Sequence, residues 1–159
     1  MIKLTERQIA DYFRRSYTAV DGLWFIKVEE HFGFNSALEV DEDVWKVLPK
    51  IQARMIKSIT GLDNGIQDLR EAITTRLALE KFEFEIECEP ESFRIIVTKC
   101  PWHELMIKSG RDYLSGRVGN LICQVENSVW GEEFGVHGFW RDEQICLGAK
   151  KCVLRYGEN

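Results

Sequence analysis

The first 87 of the 159 residues contain no cysteine; all five, Cys88, Cys100, Cys123, Cys146 and Cys152, lie in the remainder. No apolar run approaches the roughly 18–20 residues of a membrane span. The opening Met1-Ile2-Lys3-Leu4-Thr5-Glu6-Arg7 carries no apolar secretory segment. With 21 Lys and Arg against 26 Asp and Glu, the net charge is -5 and no basic run is visible. That balance counts against a phosphate-backbone partner. These absences lead us to expect a cytoplasmic protein with no nucleic acid and no membrane among its partners. In such a setting, thiols are read as metal ligands or reactive groups before disulfides. The plainer alternative is that they are small buried hydrophobes.

What is present is a sequence that is 45% hydrophobic and 30% charged, ordinary for a folded domain of this length. We expect one α+β domain over 1–159, with a helical half at about 5–80 and a cysteine-containing half at about 81–159. Thr5 and Gln8 form a capping box before Ile9, Tyr12, Phe13, Tyr17 and Val20 at helical spacing. Asp21-Gly22 suggests a kink or restart, and Gly33 a left-handed cap after Leu23–Phe32. Asp41, Glu42 and Asp43 read as an acidic helix start. Val44, Val47, Leu48, Ile51, Met55 and Ile59 then share one helix face, which Pro49 should kink or break. Ile66, Leu69, Ile73 and Leu77 mark the inward face of another helix.

From Phe82 the period changes to two. Phe82, Phe84, Ile86 and Cys88 alternate with Glu83, Glu85, Glu87 and Glu89, predicting a strand with one buried and one solvated acidic face. Pro90-Glu91-Ser92 turns the chain into a second strand, Phe93–Thr98. Pro101 suits the first turn of a helix near Trp102–Lys108. Residues 110–119 read as irregular, followed by a helix near 120–130 presenting Leu121, Val125 and Val129. Short strands near Val136–Arg141 and Lys151–Tyr156 finish the chain.

Cys100 has the most specific setting. If Pro101 opens a helix, Cys100 is its N-cap, where free amides and the dipole favour a thiolate that is both nucleophile and metal ligand. Lys99 and His103 adjoin it, so Cys100 and His103 are the candidate catalytic residues. Cys100, Cys123, Cys146 and Cys152 are the candidate metal ligands. Their spacing matches no standard zinc ribbon, but they come from several separate elements. Four thiolates suit zinc, with an iron–sulfur cluster ranked below it; three thiolates with His103 suit zinc.

Other arrangements carry less. Ser109, His137 and Asp142 lack a nucleophile elbow, and Gly116-Arg117-Val118-Gly119 is too short for a phosphate loop. His31 fits a helix end. Trp24, Phe25, Phe32, Phe34 and Trp45 read as core, with an apolar ligand pocket as the alternative.

The stretch Val20-Asp21-Gly22-Leu23-Trp24-Phe25-Ile26-Lys27-Val28-Glu29-Glu30-His31-Phe32-Gly33-Phe34, with Ala37-Leu38 and Asp41-Glu42-Asp43-Val44-Trp45, resembles the N-terminal signature of the 2-aminothiazoline-4-carboxylate hydrolase-like proteins. Cys100-Pro101, Cys123, Cys146 and Cys152 match that family's looser cysteine pattern, from which Cys88 and Pro49 depart. The resemblance implies an α+β fold akin to the vinyl-reductase and nitric-oxide-sensor-related ligand-binding domains. It also implies opening of a thiazoline ring, with no catalytic set to carry over. The leading expectation is therefore a metal- or small-ligand-binding domain built on the four cysteines. A hydrolase using Cys100 or a bound metal is the second reading. The third is an interaction protein with buried free thiols whose apolar helices form a homodimer.

Overall fold

The structure is a computed structural model describing residues 1–157. By internal packing the chain divides into two units, Met1–Asp41 and Glu42 onward.

In the first unit, helix α1 (Glu6–Phe32) opens with the Thr5/Gln8 capping box and ends at Gly33, whose amide donates to the Glu29 carbonyl. Asp21-Gly22 does not interrupt it. One interior glycine costs only about 1 kcal/mol, little against a helix of 27 residues. No residue of α1 is buried. Trp24 and Phe32 are 63% and 73% exposed, while Phe25 and Phe34 meet edge-to-face at 5.9 Å. The expected aromatic core is thus not formed. Trp45, in the second unit, is buried edge-on to Trp102.

Helix α2 (Phe34–Trp45) carries Asp41, Glu42 and Asp43 near its C-terminal end, not at a helix start. That is the end where the dipole disfavours acid, and Lys46 offsets it through ion pairs with Glu42 and Asp43. Helix α3 (Leu48–Thr60) takes Pro49 in its first turn. The break falls before the proline, where its missing N–H costs nothing.

The second unit is α+β. Helix α4 (Ile66–Leu79) buries Leu69, Ile73 and Leu77 as its spacing predicts. Strands β1 (Glu83–Cys88), β2 (Ser92–Lys99), β3 (Gly138–Glu143) and β4 (Cys152–Gly157) form one antiparallel sheet in the order β1-β2-β4-β3. The central strands β2 and β4 supply Phe93, Ile95, Val97, Leu154 and Tyr156 to the core. As an edge strand, β1 leaves Ile86 and Cys88 exposed where alternation predicted a buried face. Its glutamates are solvated, as expected.

Helix α5 spans Pro101–Lys108 and α6 spans Asp112–Glu133. Residues 112–119, read as irregular, are thus the first two turns of α6. Two glycines there, Gly116 and Gly119, weaken the sequence signal for a helix, and packing overrides it. The buried stripe runs through Leu114, Val118, Ile122, Glu126, Val129 and Trp130. Leu121 and Val125 are only half-buried. Among the described residues no helix is long and apolar enough to cross a membrane.

Candidate functional site

Four elements of the second unit deliver one cysteine each. Cys100 is the N-cap of α5, at the junction where β2 gives way to Pro101. Cys123 sits midway along α6. Cys146 lies in a short 3-10 turn, Ile145–Leu147. Cys152 opens β4 opposite Val97 of β2. All four line a single cavity of about 40 Å³, together with Arg76, Glu126, Asn127, Arg141 and Gln144. Cys88 stays apart, exposed on β1 with Arg70 reaching its sulfur at 3.5 Å.

The approach of Cys146 to α6 depends on a missing side chain. A Cβ built on Gly119 would stand 3.0 Å from the Cys146 Cβ and 3.1 Å from its Sγ; one on Gly116 would stand 3.2 Å from the Cys146 carbonyl oxygen. The Gly-Arg-Val-Gly segment, set aside as a phosphate loop, is instead the notch that admits the turn carrying Cys146.

The thiols are gathered but neutral. Burial pushes Cys100 up to about 11, outweighing the amides of His103 and Trp102 that favour its thiolate. Cys123 is raised well above its ordinary value by burial and then by the neighbouring Cys100 and Glu126. Cys146 and Cys152 are raised too, burial again first. The helix-end activation expected of Cys100 is therefore overridden: desolvation disfavours the charged form more than one helix N-terminus favours it. The Ile145 amide nonetheless donates to the Cys152 sulfur at 3.2 Å. Among the described residues, no three His, Cys, Asp or Glu side chains are placed close enough together to hold a metal ion as they stand.

His103 turns away from this cluster. Its Nδ1 is 2.7 Å from the Ser115 hydroxyl on α6, and it does not line the cavity. Ser109, His137 and Asp142 form no triad: Ser109 donates to the Met106 carbonyl, His137 is exposed and Asp142 pairs with Arg155.

The cavity wall holds charged residues that sequence reasoning did not assign. Arg76 on α4 and Glu126 on α6 form a buried ion pair. Burial alone would lower the Arg76 pKa, and Glu126 together with Glu80 more than offsets it, so the guanidinium stays protonated. The Tyr156 hydroxyl donates to Asn127 Oδ1 at 2.7 Å, and Asn127 Nδ2 donates to the Cys123 carbonyl at 2.7 Å. The signal that could have found this pair is positional. Arg76 lies between Ile73 and Leu77 on the inward face of α4, and Glu126 between Ile122 and Val129 on that of α6.

Compared with known proteins, residues 4–104 match the model of a family of unknown function (DUF6125). The match spans more than half of the chain. The chain belongs to that family. No curated protein matches it. The DUF6125 match takes in the N-terminal helices, the β1–β2 hairpin and Cys100, and stops before Cys123, Cys146 and Cys152.

Proposed function

We propose that the unit from Glu42 onward is a metal-binding domain in which Cys100, Cys123, Cys146 and Cys152 hold one zinc-class divalent ion. The observation that carries this reading is convergence: thiols from four separate elements line one cavity. Soft thiolates suit zinc, as they also suit copper(I) and iron–sulfur centres. Its size decides between ligands. At about 40 Å³ the space takes one ion or a water molecule. A small-molecule site is about 300–1,000 Å³. A thiazoline ring or an iron–sulfur core asks for more room than the cavity has, so both rank below a single ion.

Binding would displace protons from four thiols whose pKa values are raised, so affinity falls as pH falls. With about 2.3 Å per zinc–sulfur bond, the wall must contract onto the ion. Tag-free protein purified under reducing, anaerobic conditions should contain one zinc per chain. Cobalt substitution should produce the sulfur-to-cobalt absorption of a tetrathiolate. Protein that emerges metal-free and takes up neither ion refutes the reading. Turnover of 2-aminothiazoline-4-carboxylate that is lost in Cys100→Ser would support the hydrolase reading instead.

A further inference from the structure

We propose that α1 is a dimer interface, pairing antiparallel with the α1 of a second copy of this chain. The cysteine cavity plays no part in it. Helix α1 has 27 residues and buries none of them. Most helices owe their stability to the packing of an apolar face, and α1 has such a face. Ile9, Phe13, Ser16, Val20 and Leu23 follow one another at steps of four, three, four and three, the spacing of a two-helix seam. Tyr12 and Trp24 flank it. Tyr12, Phe13, Val20, Leu23 and Trp24 are each more than half exposed. The opposite side of α1 is half-buried through Arg14, Thr18, Phe25 and Val28, with Phe25 against Phe34 of α2.

The size and charges of the seam point to what covers it. Covered aromatic side chains bury about 150–250 Å² each, so the exposed parts of this face offer roughly 600 Å² per copy, or about 1,200 Å² in a pair. Specific protein–protein interfaces begin at that size. The seam runs from Glu6 at one end to Lys27 at the other. Antiparallel pairing brings the Glu6 end of one copy to the Lys27 end of its partner, whereas parallel pairing would set like charge on like. Lys27 pairs with Glu30 inside α1 at 2.6 Å and is more than half exposed there, and an ammonium has donors for a second carboxylate. One patch meeting itself in this way closes at two copies. A lipid surface fits less well: helices that lie on membranes carry a basic polar face, but α1 has five Asp and Glu against four Lys and Arg.

The test is the mass and dissociation constant of the full chain by sedimentation, under reducing conditions so that the exposed Cys88 cannot cross-link copies. The wild type should sediment at twice its 18.5 kDa chain mass at concentrations up to about 100 μM. Val20→Glu, which puts a carboxylate into the seam twice per dimer, should raise the dissociation constant about 100-fold or more. Lys27→Glu should raise it a few-fold, and adding Glu6→Lys should bring it back. That charge exchange keeps the question answerable if Val20→Glu does not fold. Ile59→Ser, at an exposed apolar position on α3, should leave the constant unchanged. A chain that stays monomeric overturns the proposal, and binding of that monomer to phosphatidylglycerol vesicles would make the occupant a lipid surface. A dimer that Val20→Glu leaves intact, or that Ile59→Ser weakens as much, overturns it too. A Lys27→Glu loss that Glu6→Lys does not recover overturns the antiparallel arrangement. Zinc content enters none of these readings, so failure here and failure of the metal reading are separate.

Discussion

Helices α3 and α6 belong to the same packing unit and distribute polarity in opposite ways. Helix α3 turns Ile51, Met55 and Ile59 to solvent, Ile59 being 76% exposed, and buries Pro49 and Ala53. Helix α6 buries Ser115, Glu126 and Asn127 among its apolar residues. Apolarity alone therefore does not say which face is inside. On α3 the inward position goes to a small side chain that allows close packing. On α6 these three buried polar residues each have a partner: Ser115 has His103, Glu126 has Arg76, and Asn127 has Tyr156, whereas the buried Trp130 indole N–H has no hydrogen-bond partner among the described residues. A buried polar group costs free energy only when unmatched.

The sharpest way to break the comparison is to unmatch one of those groups. Glu126→Leu leaves Arg76 charged and buried without its ion-pair partner, with only the electrostatic attraction of Glu80, and should destabilise the fold by about 3–5 kcal/mol in urea unfolding. Adding Arg76→Met should recover most of that loss, because replacing both partners removes the stranded charge. A double variant as unstable as the single one would show that the pair does more than satisfy itself.

The second effect is pH dependence of the metal-free protein. Folded Cys100 holds its proton up to about 11 against an ordinary 9.0. Below 9 both states are protonated and the neutral thiol costs nothing. Above it the unfolded chain loses the proton first, so stability falls as pH rises between 9 and about 11. The loss for this group is on the order of 2–3 kcal/mol, read as a falling urea midpoint. Zinc-loaded protein should lack that alkaline loss and instead weaken toward acid, where protons compete for sulfur. An identical pH profile with and without zinc would separate the cysteines from the metal.

The smallest effect sharpens the other side. Ile51→Ser and Met55→Gln on α3 should change stability by no more than about 0.5 kcal/mol, as for surface positions away from packing. A larger loss that grows with protein concentration would mean that this face is covered by a second copy in solution.

Much of the fold was legible in local chemistry. The Thr5/Gln8 cap, the inward residues of α4, the Pro101 helix start and the period-two hairpin were readable because each rests on neighbours a few residues apart. The misread elements depended on distant partners. The first turns of α6 form despite Gly116 and Gly119, whose lack of side chains is used by a turn some thirty residues later. β1 alternates correctly yet is exposed, because strand order, not alternation, decides which strand is an edge. For the candidate site, the four cysteines were legible as residue types, and in the structure they line one cavity. Arg141 was not legible, since nothing near it in sequence indicates that it spans α6 and the loop before Cys146.

The acidic row on β1 has a consequence for how copies of this protein meet. Glu83, Glu85 and Glu87 stand along an outer strand of the sheet, Glu83 paired with Lys99 and Glu87 with Arg94 on β2, which leaves Glu85 to carry most of the repulsion. Two such borders brought together would oppose carboxylate to carboxylate, and like charges directly across a ladder repel. Growth of the sheet through β1 is thereby discouraged, while β3, the other outer strand, carries no such acidic row.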